Sequence, residues 1–248
     1  MKRARGGHKS NLRGPRNQNF PRELAVLYED DSVVAVNKPP GLLAVPAPGS
    51  DAPSALSLLA EHLGNHRQPI FTVHRIDRFA SGVLLFAKTR ADRDALVRQF
   101  LAHTPVRRYL AVVRGHLSAQ QGTLVHHFRK DGMHQRLSSA KDPGAARAEL
   151  TYSVEASLRG ASLLSVTLGT GLQNQIRVQL AALGHPVVGD RKYSPAEASE
   201  TRIARVALHA EYLQFSHPRT GEAVEVASEP SSDFRSLLRS LKPSGGRH

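Results

Sequence analysis

The chain has 248 residues, is 40% hydrophobic and contains no cysteine, so it is long enough for one sizeable domain and excludes disulfides, thiolate zinc sites and cysteine nucleophiles. No apolar run reaches the roughly 20 residues of a membrane-spanning helix, and we expect a cytoplasmic protein without a secretory signal. Thirty-four Lys and Arg against 21 Asp and Glu give a formal charge of +13, which indicates a nucleic-acid partner, although charge alone also fits a surface that serves solubility.

The first 22 residues are basic and polar. They hold seven Lys or Arg and no acid, so they cannot bury enough apolar surface to offset the entropy of an ordered chain. We predict a disordered basic arm over 1–22, one folded domain over 23–241 and a flexible tail over 242–248. The arm is either a plain solvated terminus or a segment that binds RNA phosphates.

The first half of the domain alternates short β-rich runs with two helices. The predicted order is strands over 24–30 and 32–38, a turn at 38–41, a helix over 54–63, an extended stretch at 71–73, a strand over 82–88 and a helix over 89–103. The strand GVLLFAK is apolar on both faces, which places it at the centre of a sheet. Thr89 is the expected N-cap of the following helix, with Leu96, Phe100 and Leu101 on its buried side.

The second half is richer in strands. We predict strands over 106–114, 123–128, 147–156, 161–168 and 207–215, a polar loop over 129–146, a helix within 174–184 and a last helix over 233–241. Gly184 is the expected C-cap of the first of these helices. Strands and helices do not alternate regularly, so the fold class is α+β, with a mixed, largely antiparallel central sheet flanked by helices and loops.

One segment, HRIDRFASG, stands out chemically. It places Asp77 between two arginines, where nearby cations keep a carboxylate ionised and nucleophilic. A structural Asp–Arg pair explains the same local pattern equally well. The 13 histidines are scattered, and the pair His126-His127 would point to opposite faces of a strand. No metal site is therefore expected.

Five segments in register resemble the RluA family of RNA pseudouridine synthases. HRIDRFASGVLLFAKT is similar to the family's HRLDxxTSGLLLFAK, in which the two positions after the Asp are open. The other four segments are NKPPGLLAVP, RRYLAVVRG, TGLQNQIRVQLAALGHPVVGDRKY and ALHAEYLQFSHPRTGE, and together the five span residues 33–222. The resemblance implies the pseudouridine synthase fold, with 23–241 as the catalytic domain.

The resemblance also implies an isomerase that converts specific uridines of structured ribosomal or transfer RNA to pseudouridine. Asp77 would be the catalytic carboxylate, either bonded to the sugar or stabilising charge at its C1′ atom. Arg177 would pair with Asp77, and Tyr109 would lie against the target base. Arg75 would take the place of the flipped nucleotide in the stack.

Two further substrate-binding candidates come from the same resemblance. Ile176 would line the pocket beneath the base, and His74 would shape the loop through hydrogen bonds. The reaction is redox-neutral and intramolecular, so no cofactor is expected. The expected partner is structured RNA rather than a membrane, and the chain is expected to be a monomer.

Three departures from the family pattern keep other functions open. Ala80 stands where the family has Thr, Leu172 replaces an Arg, and Asn174 and Gln179 replace two histidines. These changes fit an enzyme with altered recognition or a reduced rate. They also fit a catalytically weak or inactive homologue that acts as an RNA-binding or RNA-chaperone protein. Charge alone would further allow a sequence-neutral DNA-binding protein.

Overall fold

A computed structural model describes residues 11–13, 23–49, 51–63, 69–132, 134–194 and 202–243. The strands in it are β1 (Asn11–Arg13), β2 (Glu23–Glu29), β3 (Val33–Lys38), β4 (Phe71–Thr72), β5 (Ser81–Ala87), β6 (Val106–Arg114), β7 (Gln121–Asp131), β8 (His134–Ser138), β9 (Ala146–Leu158), β10 (Ala161–Leu168), β11 (Leu208–Ser216) and β12 (Ala223–Ala227). The helices are α1 (Ala55–His62), α2 (Arg90–Leu101), α3 (Gln175–Ala182) and α4 (Ser232–Ser240).

The described residues divide into two compact units, each built from two separate stretches of chain. Unit 1 contains the residues up to Arg107 together with Ala210–Pro230, and unit 2 contains Arg108–His209 and the residues from Ser231 onward. The chain changes unit inside β6, inside β11 and again after Pro230, between β12 and α4. A change of unit within a strand leaves no linker in the sequence, which explains why composition predicts one domain over 23–241. That prediction of domain limits stays a prediction.

In unit 1 the strand order is β1-β2-β3-β5-β11, with β4 beside β5 and β12 beside β11. All seven residues of β5 are buried, which confirms its predicted central place. One apolar cluster joins one face of β3 and β5 to α1, and a second joins the opposite face to α2, β11 and β12. Gly82 of β5 has φ of +114°, and a Cβ there would lie 2.1 Å from the carbonyl oxygen of Ala210. Only glycine permits β5 and β11 to approach so closely.

Local sequence signals set the two helices of unit 1. Ser54 and Ser57 form a reciprocal capping box at the start of α1. Thr89 accepts the backbone N–H of Asp92 at 3.1 Å, which confirms it as the N-cap of α2. Leu96 is fully buried, but Leu101 is 73% exposed, so the predicted inner position of Leu101 is wrong. Five residues of α-helix turn through about 500°, which places Leu101 about 140° from Leu96.

In unit 2 the order is β6-β10-β9-β7-β8, and all four neighbouring pairs are antiparallel. The loop predicted over 129–146 is partly wrong, because β7 extends to Asp131 and pairs with β8 in a hairpin. Helix α3 has Leu183 as its C-cap, so the predicted C-cap Gly184 is one residue late; Gly184 follows with a left-handed φ of +88°. The last helix is also confirmed, with Phe234, Leu237 and Leu241 buried along one side.

The predicted α+β class with a mixed, largely antiparallel sheet and flanking helices is confirmed. An isolated parallel bridge between Leu43 and Ser54 stands beside the antiparallel pairs. Strand β12, which the sequence did not predict, pairs with β11. The arm predicted over 1–22 includes the three residues of β1, which pair with β2. Residues 1–10, 14–22 and 244–248 lie outside the described part of the chain, so the rest of the predicted arm and the tail stay predictions.

Candidate active site

Asp77 lies on the segment between β4 and β5 in unit 1. The backbone N–H of Ala80 donates to the Asp77 carbonyl oxygen at 3.1 Å, so residues 77–80 form a closed turn with Arg78 and Phe79 at its corners. Asp77 is partly buried, Arg75 is exposed and Ile76 is buried. The segment therefore presents its charged residues outward while Ile76 anchors it to the core.

The side chain of Lys38 fixes this turn from beneath. Lys38 is fully buried, and its Nζ atom donates to the carbonyl oxygens of Pro39 at 2.9 Å, Leu42 at 2.9 Å and Arg78 at 3.1 Å. Three carbonyl acceptors satisfy the three donors of an ammonium group, which makes its burial tolerable. Lys38 is thus a structural cation: it ties the KPPG turn to the turn that holds Asp77.

A second link joins the same two turns. The Gly41 N–H donates to the Arg78 carbonyl oxygen at 2.8 Å, and the Arg78 Nε donates to the Gly41 carbonyl oxygen at 3.0 Å. Sequence reasoning matched the KPPG segment to the family but did not connect it to Asp77. The signal that could have done so is a lysine directly before a Pro-Pro-Gly turn, where nearby carbonyls are left without strand partners.

His74 is held by contacts within unit 1. Its Nε2 atom accepts the backbone N–H of Leu85 at 3.1 Å, and its ring stacks on Phe100 with centroids 4.6 Å apart. Burial and then the nearby Arg107 guanidinium lower the pKa of His74 to about 3, so the imidazole is neutral and Nε2 is free to accept. These contacts favour the loop-shaping role over a direct contact with substrate, which stays a prediction.

Arg177 lies on α3 in unit 2, inside a cage of side chains. Its Nε and Nη2 atoms donate to the two carboxylate oxygens of Asp190 at 2.7 and 2.9 Å, and its Nη1 donates to Asn174 Oδ1 at 2.8 Å. The guanidinium carbon also lies 5.0 Å from the centroid of the Tyr193 ring. A two-point fork of this kind fixes the plane of the guanidinium as well as its position.

Asp190 is a part of the site that sequence reasoning missed. Burial raises the pKa of its carboxyl, but the hydrogen bonds and charge of Arg177 and the N–H groups of Lys192 and Tyr193 outweigh burial and lower that pKa. Asp190 stands in the matched segment GHPVVGDRKY, but nothing local to that segment pairs it with Arg177. Gly189 has φ of +77°, and a Cβ there would lie 2.0 Å from the Arg205 carbonyl oxygen.

The remaining candidates in unit 2 are apolar or aromatic. Tyr109 stands on β6 opposite Val166 of β10 and is 8% exposed. Ile176 is on α3 beside Arg177 and is 4% exposed. Burial of this degree suits a pocket wall and suits an ordinary core position equally. Their contacts with the target base stay predictions.

The residues that depart from the family pattern are all used in the protein's own packing. Ala80 is 1% exposed. Leu172 packs against the apolar cluster of Phe128 and Val178. Asn174 holds Arg177, and Gln179 donates to the carbonyl oxygens of Leu124 and Ala148 at 3.0 and 3.3 Å.

The candidates therefore fall into two groups. Asp77, Arg75 and His74 belong to unit 1, while Tyr109, Arg177 and Ile176 belong to unit 2. The predicted pairing of Arg177 with Asp77 stays a prediction. Among the described residues no group of three His, Asp or Glu side chains is placed to hold a metal ion, and no helix there is long and apolar enough to cross a bilayer.

Comparison with known proteins shows that this chain is similar to members of one protein family. A model described as RNA pseudouridylate synthase matches residues 32–182, which is more than half of the chain. A solved structure titled Human RNA Pseudouridylate Synthase Domain Containing 1 superposes with a TM-score of 0.75 at 25% identity, covering 90% of this chain and 89% of that one.

Curated relatives are similar in sequence to this chain over most of their length. The dual-specificity RNA pseudouridine synthase RluA of Escherichia coli (strain K12) is 33% identical over 225 residues, covering 85% of this chain and 96% of that protein. The ribosomal large subunit pseudouridine synthase D of Zymomonas mobilis is 32% identical over 237 residues, covering 90% and 74%. The uncharacterized RNA pseudouridine synthase YlyB of Bacillus subtilis (strain 168) is 34% identical over 232 residues, covering 91% and 75%.

A turn that presents a carboxylate among arginines, on a fold shared with these proteins, defines the class as an RNA-modifying isomerase. The chain belongs to the RNA pseudouridine synthase family and, within it, to the RluA type.

Proposed function

We propose that the chain isomerises specific uridines of structured ribosomal or transfer RNA, with Asp77 as the catalytic carboxylate. The observation that carries the proposal is the turn at 77–80. It holds Asp77 partly buried beside the exposed Arg75, and the buried Lys38 fixes it in place. A carboxylate on a rigid loop keeps its geometry without loss of entropy when substrate binds.

The isomerisation needs one glycosidic bond broken and one formed. The N1–C1′ bond of uridine breaks, the uracil turns, and C5 bonds to C1′; the C5 hydrogen leaves as a proton, and N1 takes up a proton from solvent. Asp77 acts at C1′, either as a nucleophile or as a fixed negative charge beside the electron-poor sugar carbon. The overall reaction is redox-neutral and loses and gains one proton, so its balance requires no oxidant, reductant or metal ion.

The other candidates act around this carboxylate. Arg75 fills the gap that the flipped nucleotide leaves in the stack, which lowers the cost of extrusion. Arg177, held by Asp190 and Asn174, is the proposed partner of the Asp77 carboxylate. Tyr109 and Ile176 bound the base. His74 shapes the loop.

The substrate class and setting belong to the same proposal. A formal charge of +13 supports a phosphate-rich partner. The names of the relatives, one a ribosomal large subunit enzyme and one a dual-specificity enzyme, support ribosomal or transfer RNA. A chain without cysteine suits the reducing cytoplasm, and we propose that it acts there as a monomer.

The test is Asp77→Asn, assayed on RNA that carries tritium at C5 of its uridines. Because C5 loses its hydrogen in the reaction, tritium released into water counts turnovers. We expect release to fall by at least about a hundredfold while RNA affinity stays within about twofold. Asp51→Asn, the same change at an exposed aspartate of unit 1, should leave release unchanged. Normal release from Asp77→Asn would remove Asp77 from the mechanism.

The second candidate is an RNA chaperone that has lost catalysis. The departures at Ala80, Leu172, Asn174 and Gln179 motivated it, but each of these side chains is packed or hydrogen-bonded, and Asn174 holds Arg177. Packing and hydrogen bonds at these positions support an altered site more than a decayed one, although the Gln179 Oε1 atom is buried without a hydrogen-bond donor. Mapping pseudouridines in a deletion strain separates the two functions, since a missing site supports the enzyme and a full set supports the chaperone.

A further inference from the structure

Phe79 is exposed at the corner of the turn that carries Asp77. Its exposed fraction is 43%, and the other strongly exposed large hydrophobic residues of the described chain are aliphatic: Leu101, Val106, Val125, Leu137 and Leu183. A single exposed apolar residue is common on protein surfaces and by itself indicates nothing. The geometry around Phe79 makes its exposure informative.

The turn fixes where the ring is displayed. The Ala80 N–H donates to the Asp77 carbonyl oxygen, so Phe79 occupies a corner position two residues after the carboxylate. The Arg78 carbonyl oxygen, directly before Phe79, accepts from both Gly41 N–H at 2.8 Å and Lys38 Nζ at 3.1 Å. The backbone next to Phe79 is thus fixed by a hydrogen bond from the buried Lys38 ammonium group. Because it is already fixed, little backbone entropy is lost when a ligand binds the ring.

The ring also has a cation beside it. The Arg78 guanidinium carbon lies 5.5 Å from the centroid of Phe79, and the Arg78 Nε donates to the Gly41 carbonyl oxygen. Arg75, on the same segment, is exposed. An aromatic face with fixed and exposed arginines suits a flat, electron-rich ring that is linked to phosphates.

We propose that Phe79 is a stacking site for an unpaired base of the substrate RNA, beside the uridine that Asp77 modifies. The proposal rests on the proposed function for the identity of that uridine. Neutral peptide partners are disfavoured by the surrounding arginines. The family pattern HRLDxxTSG leaves this position open, so an aromatic residue here belongs to this chain rather than to the chemistry common to the family. Phe79 therefore contributes to the choice of RNA sequence or shape.

The test compares Phe79→Leu, which keeps an apolar side chain, with Phe79→Tyr, which keeps the aromatic face. Each is made in the Asp77→Asn chain and titrated with an RNA hairpin whose loop holds unpaired uridines and with a fully paired duplex of equal length. We expect Phe79→Leu to raise the Kd for the hairpin about tenfold, equivalent to about 1.4 kcal/mol, with no change for the duplex. Phe79→Tyr should stay within about twofold of the parent for both RNAs.

Leu101→Ala, at a more exposed apolar residue of the same unit, is the matched control and should change neither Kd. Equal affinities of Phe79→Leu and Phe79→Tyr for the hairpin would overturn the proposal, as would an equal loss for hairpin and duplex. Because the titration needs no turnover, it reports on stacking even if Asp77→Asn proves fully active. A result that contradicts the proposed catalytic role of Asp77 is thus distinguishable from one that contradicts the proposed stacking role of Phe79.

Discussion

Replacing Asp190 by Asn probes the cage that orients Arg177. The Asp190 side chain is fully buried and that of Arg177 is 11% exposed. Asn keeps one acceptor but turns an NH₂ group toward the Arg177 guanidinium, so a charge-assisted bond is lost together with the carboxylate charge of Asp190. Removing one partner of a buried pair costs about 3–5 kcal/mol. For Asp190→Asn we expect the free energy of unfolding to fall by about 3 kcal/mol, the lower end of this range, because Asn retains part of the hydrogen-bond network.

The assay is urea unfolding together with tritium release per folded molecule. If the fork orients Arg177 for catalysis, kcat of Asp190→Asn falls by more than about tenfold at unchanged KM. The control is Asp233→Asn, because Asp233 forms a comparable fork with the buried Arg205, at 2.7 and 3.0 Å, in the same unit. That variant should lose stability but keep its kcat. A kcat loss no larger at Asp190 than at Asp233 would refute the orienting role.

Two more predictions concern unit 1. Lys38→Met removes a donor from three carbonyl oxygens, of which that of Arg78 keeps the Gly41 N–H, and should lower the free energy of unfolding by at least about 2 kcal/mol. Lys141→Met, at an exposed site, should change it by less than about 0.5 kcal/mol; similar urea midpoints would contradict the role of Lys38. His74, with a folded pKa of about 3 against 6.5 unfolded, resists protonation when folded, so stability is full above 6.5 and falls as pH drops toward 3. His74→Gln should make the unfolding midpoint less dependent on pH between about pH 5.5 and 6.5, above the range in which unperturbed carboxylates titrate, and an unchanged slope would count against this assignment.

Elements with a strong local pattern were predictable. The strand β5, apolar on both faces, and the capped helix α2 lie where the sequence placed them. The end of β7 beyond Phe128 and the strand β8 were not predicted, because the exposed residues Arg129, Lys130 and Arg136 leave no alternating buried face there in the sequence. Cross-strand pairing supplies the order there, and pairing depends on residues distant in sequence.

The site divides in the same way. Motif matches pointed to Asp77 and Arg177 as candidates, because short segments keep residue type and spacing. The partners Lys38 and Asp190 were not predicted, because their roles depend on which carbonyls or guanidinium the fold brings within hydrogen-bonding distance, 3.1 Å for Lys38 and Arg78 and 2.7 Å for Asp190 and Arg177. Such contacts are made across 40 residues for Lys38 and across 13 for Asp190.

By itself, the sequence determined the α+β class, most strands and helices, the family and the candidate residues, since periodicity, caps and motifs are local properties. The tertiary structure decided that Lys38 is a buried clamp beneath the Asp77 turn, that Asp190 and Asn174 orient Arg177, and that Phe79 is displayed beside Asp77. The reason is physical. Burial of a charge and direction of a hydrogen bond exist only once distant segments are packed together.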